Sequence, residues 1–139
     1  VIAVTLSKLA VRGFRNLRDD SVAFGHRFNV ISGNNGQGKT NLLEAIYVLA
    51  TSKSFRTAKL PETIQFEQPL ASVRGELSDG PSPRVQSVGI RAGARQVRVD
   101  DKRPSTLAAY ALYTPIVAFF PTELSLSTGP SGERRRLLD

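Results

Sequence analysis

Arg27-Phe28-Asn29-Val30-Ile31-Ser32-Gly33-Asn34-Asn35-Gly36-Gln37-Gly38-Lys39-Thr40-Asn41-Leu42-Leu43-Glu44-Ala45-Ile46 is the stretch that decides the fold. It opens on a short apolar run, Arg27 to Ile31, that predicts a strand leading straight into a glycine-rich loop. From Lys39 to Thr51 the spacing turns helical: Leu42, Leu43, Ile46, Leu49 and Ala50 share one broad face, with Glu44 expected on the other side. Between the two, Gly33 to Thr40 fits the pattern G-x-x-x-x-G-K-[ST] at every fixed position. The chemistry needs these residues in this order. A loop that wraps phosphates must turn its backbone N–H groups inward, and glycine permits the angles and the close approach. The helix behind it adds the positive end of its dipole. Lys39 supplies a point charge for the β- and γ-phosphates, and Thr40 a hydroxyl for the Mg²⁺ that bridges them. Gly33, Asn34, Asn35, Gly36, Gln37, Gly38, Lys39 and Thr40 are therefore the expected ATP-binding residues, with Thr40 as the Mg²⁺ ligand.

Outward from that core the chain reads as strands. Thr5 to Val11 alternates apolar and polar residues with one slip near Lys8, and Ser21 to Phe24 forms a second short run. Pro61 is expected to end any helix that precedes it. Ala71 to Leu77, Val85 to Ala92 and Gln96 to Val99 alternate cleanly. Turn compositions separate them at Ser78-Asp79-Gly80-Pro81, Gly93-Ala94 and Asp100-Asp101. That spacing predicts an antiparallel sheet. Thr106 to Tyr110 is expected as a short helix and Pro115 to Phe120 as a buried strand. Thr122 is a candidate N-cap, Gly129 to Gly132 a loop, and Glu133 to Asp139 the first turns of a helix. The fold class expected is α/β, with a mononucleotide-binding core and an antiparallel β subdomain. Residues 1–56 would carry strands, phosphate loop and first helix, 57–113 the hairpins, and 114–139 the buried strand and an arginine-rich helix start.

Bulk properties narrow the function. The 139 residues are 40% hydrophobic and 22% charged, as in a globular domain and unlike a disordered tail. There is no cysteine, which excludes disulfides and thiolate metal sites. No apolar run is long enough to span a membrane, and no basic amphipathic stretch suggests membrane binding. A net charge of +7 favours anionic partners such as nucleic acid or nucleotide. The chain opens on valine and holds no methionine, as a piece of a longer protein would. His26, the only histidine, reads as a surface turn residue, and around it no Ser/His/Asp set can be assembled. Asp100-Asp101 and Asp19-Asp20 read as turns rather than metal ligands. Tyr110 and Tyr113 read as core. Arg134-Arg135-Arg136 either grips DNA phosphates or begins a solvated helix. Arg84, Arg91, Arg95, Arg98, Lys102 and Arg103 are spread over the hairpins, where alternation sets part of them on one sheet face.

Phe14-Arg15-Asn16 taken with Gly33 to Ile46 resembles the opening of an ABC-type ATPase head, shared by RecF, the SMC proteins and the overcoming-lysogenization-defect nucleases. Two later segments resemble RecF in particular. One is Ser54-Phe55-Arg56. The other is Phe120-Pro121-Thr122-Glu123-Leu124, then Gly129, then Glu133-Arg134-Arg135-Arg136-Leu137-Leu138-Asp139. Pro130 directly after Gly129, and Leu137 in place of an aromatic residue, depart from that pattern. The resemblance implies a cytoplasmic, ATP-dependent DNA-binding protein of recombinational repair and replication-fork maintenance, active in the SOS response. It implies binding to single-stranded or gapped DNA, an ATP-dependent homodimer, and partnership with RecR and RecO in loading RecA. It places Arg15 near the phosphates, as in similar SMC heads, and implies weak ATP hydrolysis. An ABC head also needs a strand ending in paired acids and a Ser-Gly signature helix. Neither is found here, so the resemblance sets residue 139 near the middle of such a head. An SMC-like architectural head and an ATP-dependent nuclease of the lysogenization type are the competing expectations.

Overall fold

A computed structural model of the chain describes residues 4–32 and 38–119. Alternation of buried and exposed side chains shapes the strands β1 (Val4–Arg12), β2 (Asp20–Ala23), β3 (Leu70–Asp79), β4 (Ser82–Arg91) and β5 (Ala94–Val99). They form one antiparallel sheet in the order β2-β1-β3-β4-β5. β1 pairs with β3, so the sheet joins strands from the first and middle thirds of the chain. The slip near Lys8 is a register shift between Leu6 and Lys8 against β3. Such a bulge lets Leu6 and Leu9 meet the same core although three residues separate them. Asp100 and Asp101 both take left-handed φ, 51° and 64°, and Val99 and Lys102 exchange hydrogen bonds of 2.8 and 3.0 Å around them. They are the two central residues of a tight hairpin turn.

One face of the sheet buries Leu9, Val11, Val73, Val88, Ile90 and Val97. Helix α1 (Gly38–Thr51) and the short helix α2 (Leu107–Leu112) pack on it. Thr106 caps α2, its hydroxyl accepting from the Ala109 N–H at 3.0 Å. The Tyr110 ring is buried and its hydroxyl donates to the Leu49 carbonyl of α1. Burial pushes the phenol up to about 12, against smaller pulls from Gln86 and the Arg84 charge. Tyr113, expected in the core, is exposed, with the Arg84 guanidinium 5.9 Å from its ring centre.

Gly75 marks the closest approach of helix and sheet: a Cβ there would run into the Leu49 side chain. Gly75→Val is expected to lower stability by about 1–3 kcal/mol, readable as a drop in the urea midpoint at unchanged slope. An unchanged midpoint would show that α1 sits further from the sheet than the structure has it.

Three expected elements differ. Arg27 to Ile31 forms no strand: Phe28 is 88% and Val30 91% exposed. A strand needs a neighbour to receive its hydrogen bonds, and among the described residues none lies beside this one. Pro115 to Phe119 is likewise without strand structure, with Val117 and Phe119 exposed. Pro61 does not simply stop a helix; it sits in the first turn of a 3-10 helix, Leu60–Thr63, where its missing N–H has no partner to lose. The expectations for Phe120 to Asp139, including the arginines 134–136, lie outside the described residues, as does the phosphate-loop segment Gly33 to Gln37.

Candidate nucleotide site

The site begins where α1 begins. Gly38, Lys39 and Thr40 are its first turn, Thr40 exposed and Lys39 partly buried. That turn carries no acidic residue, so nothing there opposes an anion. A cavity of about 230 Å³ opens beside it, lined among others by Leu9, Val22, Ile31, Lys39 and Leu42. Helix start and lysine thus stand at the rim of a mostly apolar hollow that Arg18 and Asp20 also line, with Thr40 next along the same turn.

One turn further along α1 the sequence reading of the helix fails, and the reason is chemical. Glu44 does not face solvent; it is fully buried, together with Asn41, while Leu43 on the supposed core face is exposed. Asn41, Glu44 and Val48 follow one another at helical spacing down the buried line of the helix. A carboxylate there must be satisfied, and it is. Arg15 grips it through both ends of its guanidinium, Nε to Oε1 and Nη2 to Oε2, each at 2.9 Å. The Ser54 hydroxyl donates to Oε2 at 2.5 Å and Arg56 Nη1 to Oε1 at 3.3 Å. Arg56 Nη1 also donates to Asn41 Oδ1, and Asn41 Nδ2 to Asn16 Oδ1, both at 2.5 Å. Burial pushes the Glu44 carboxyl up. Hydrogen bonds from Arg15 and Ser54 and the charges of Arg15 and Arg56 outweigh that push and hold it below the ordinary carboxylate value.

This cluster joins three pieces of chain. Arg15 takes a left-handed φ of 48°, unusual outside glycine. Its N–H donates to the Thr63 carbonyl at 2.6 Å, which ties the Phe14-Arg15-Asn16 turn to the 3-10 helix. Gly13 just before it has φ 60°, and a Cβ there would lie 2.5 Å from the Leu70 carbonyl oxygen. The Ser54 hydroxyl also accepts from the Arg56 N–H at 2.9 Å, shaping the Ser54-Phe55-Arg56 turn. Of the residues singled out from sequence, the structure brings Arg15 and the helix that carries Lys39 into one assembly. The sequence reading gave Glu44, Asn41, Asn16, Ser54 and Arg56 no role. They stood in the segments that carry the resemblance, Phe14-Arg15-Asn16, Gly33 to Ile46 and Ser54-Phe55-Arg56, and helical spacing sets Glu44 in line with Asn41 and Val48.

The middle basic residues divide. Arg84 is buried and donates to Gln86 Oε1 (2.7 Å), Asp79 Oδ2 (2.6 Å), the Tyr113 carbonyl (2.6 Å) and Thr114 Oγ1 (2.8 Å). It is a structural cation and leaves the set suited to phosphate contacts. Arg95 Nη1 donates to the Ser52 carbonyl at 2.7 Å, just past the C-terminal end of α1. Arg91, Lys102 and Arg103 remain exposed and Arg98 half-buried. His26 is exposed, as expected of a turn residue.

A glycine-rich segment running into a helix headed by Lys39 and Thr40, flanked by an antiparallel sheet, defines the front part of an ABC-type ATPase head. Residues 5–80 match the model of the RecF/RecN/SMC N-terminal domain, and the chain belongs to that family. It is 42% identical over 134 residues to the DNA replication and repair protein RecF of Citrifermentans bemidjiense, and 39% identical to that of Geobacter sulfurreducens. Each match covers 96% of this chain and 37% of the relative, so the chain spans little more than a third of the length of these curated relatives. A solved structure of the recombination mediator protein RecF with ATP, in the RecFOR pathway, superposes with a TM-score of 0.86 at 29% identity. That superposition covers 99% of this chain and 37% of the neighbour. Among the described residues no helix is long and apolar enough to cross a membrane.

Proposed function

We propose that this chain is the ATP-binding front part of a RecF-type protein that couples nucleotide binding to DNA binding in recombinational repair and replication. The observation that carries the reading is the start of α1, where Lys39 and Thr40 open a helix free of acid in its first turn, directly after a glycine-rich segment. The RecF relatives favour this reading over an SMC-like architectural head or a lysogenization-type nuclease. In it, Gly33 to Gly38 wrap the phosphates of ATP, Lys39 neutralises them, and Thr40 supplies a hydroxyl to Mg²⁺, which would offset charge on the phosphate oxygens. Arg15 serves the same end of the site from its fixed place on Glu44. Single-stranded or gapped DNA, an ATP-dependent homodimer, the RecR, RecO and RecA partners and a cytoplasmic location belong to the same proposal, supported by the RecF likeness.

Binding and turnover separate in this chain. Binding draws on the loop, the helix start and Lys39. Hydrolysis also draws on an acidic partner for Mg²⁺ and on a positioned water, and the sequence shows no strand ending in paired acids. The expected result is ATP binding without steady phosphate release. It is read by titrating labelled ATP and, in parallel, by a phosphate-release assay with Lys39→Ala as the contamination control. Lysine-dependent turnover would mean that a catalytic acid lies within these residues.

A further inference from the structure

The sheet has a second face that neither helix covers. Reading the register across it, Ala10, Arg74, Ser87 and Arg98 form one cross-strand row. The next row is Arg12, Ser72, Gly89 and Gln96, and Arg91 follows at the end of β4. Lys8 stands beside Glu76 in the row on the other side. Across these rows Glu76 is the one acidic side chain, against Lys8, Arg12, Arg74, Arg91 and Arg98. Among the described residues none of these five cations is in an ion pair. With its amide oxygen turned toward them, Gln96 accepts from Arg98 at 2.9 Å and from Arg103 at 2.7 Å, which draws Arg103 to the same edge. The residues between the arginines are small: Ala10, Ser72, Ser87 and Gly89. At its edge, where the chain enters α2 at Thr106 and Leu107, the sheet borders a cleft of about 560 Å³ that Arg91, Gln96 and Arg103 also line.

We infer that this outer sheet face binds the sugar–phosphate backbone of DNA, an inference that rests on the DNA-binding reading above and names the surface for it. Charge complementarity chooses the occupant. Arginines outside any ion pair and set about 9.5 Å apart across two strand spacings, as Arg74 and Arg98 are, suit a chain of regularly spaced anions; Arg98 also donates to Gln96 and to the Asp101 carbonyl. The small residues between them let that chain lie close to the sheet. Ser72 and Ser87 add hydroxyl donors of the kind phosphate oxygens accept. The rows contain no aromatic side chain, so there is no platform on which a base could stack. Binding at this face is therefore indifferent to sequence and steeply dependent on salt.

The test is fluorescence anisotropy with a labelled oligonucleotide across a salt series, for the wild-type protein, for Arg74→Glu combined with Arg98→Glu, and for Glu76→Gln. All three changes lie on exposed or half-exposed positions, and matched circular-dichroism melts check the fold. The double variant is expected to flatten the log–log salt slope by about 1.4 to 1.8, the loss of two phosphate contacts. Glu76→Gln, which only removes the opposing charge, is expected to tighten binding at low salt. Changing the oligonucleotide sequence is expected to change little. Wild-type binding with equal slopes in the double variant and no gain in Glu76→Gln would overturn the assignment of this face, leave DNA binding itself intact, and return the face to solvent or to an acidic protein. No DNA binding by the wild type, with ATP binding intact, would overturn the DNA-binding reading and this inference with it.

Discussion

Replacing Lys39 with alanine is expected to leave the protein folded and to remove the affinity for ATP that the proposed function assigns to it. The side chain stands on the first turn of α1, and its truncation opens no cavity in the buried cluster of Leu9, Val48, Leu49 and Val73. Under the proposed function, what it removes is the cation set against the phosphates. Truncating one partner of a desolvated charge pair costs about 2–5 kcal/mol, so affinity should fall by about 30-fold to several thousand-fold. Titration of labelled ATP at matched Mg²⁺, with thermal melts of both proteins, measures the two halves of the claim. Equal affinities would remove the phosphate-loop assignment; a lost melting transition would show that Lys39 holds the fold instead.

The opposite result is expected at Glu44, which should matter to folding before it matters to ligand. Glu44→Ala leaves the Arg15 and Arg56 guanidinia, 22% and 31% exposed, without their shared carboxylate. Breaking a buried pair by deleting one member costs about 3–5 kcal/mol, a large share of the stability of a domain this size. Glu44→Gln keeps the shape and one acceptor oxygen and should fall between the alanine variant and wild type. The pH dependence follows from the sign of the shift. The folded carboxyl lies below its ordinary value, so its contribution is fully present above the ordinary carboxylate range and is lost as pH falls through the depressed value. Melting temperature should therefore decline more steeply with acid in wild type than in Glu44→Gln. Parallel declines would show that the Glu44 charge adds nothing, and an alanine variant as stable as wild type would mean that the buried cluster is not formed in solution.

The difference between these residues also shows what a sequence can disclose. The sheet was legible because its signals are local: period-two alternation, turn residues at Gly80, Gly93 and Asp100-Asp101, and even the bulge, announced by the slip near Lys8. Lys39 and Thr40 stand out in the sequence because their spacing from Gly33 and Gly38 is itself the motif, and the structure sets both in the first turn of α1. Arg27 to Ile31 and Pro115 to Phe119 were not legible, because an apolar run states that it needs cover without saying that cover is near. Glu44 was hidden for a related reason. A lone acid in a helix is ordinarily solvated, and the partners that make burial affordable arrive from 29 residues before it and 12 after it. Which of the hairpin cations would be buried was hidden by the same logic: two acceptors of Arg84, Tyr113 and Thr114, come from beyond the sheet.

Helix α1 is fastened from Glu44 onward: to Arg15 and Arg56 through Glu44, to the sheet where Leu49 meets Gly75, to α2 through the Tyr110 hydroxyl, and just past its end to β5 where Arg95 holds the Ser52 carbonyl. It is a rod of 14 residues, about 21 Å long, held to its surroundings at each of those points. In the proposed function, those fastenings stand between a phosphate at the head of the helix and a DNA backbone on the far side of the sheet. Under the function proposed here, ATP cannot govern DNA by bending this body, and its authority has to be exercised at the joints where the body meets its neighbours.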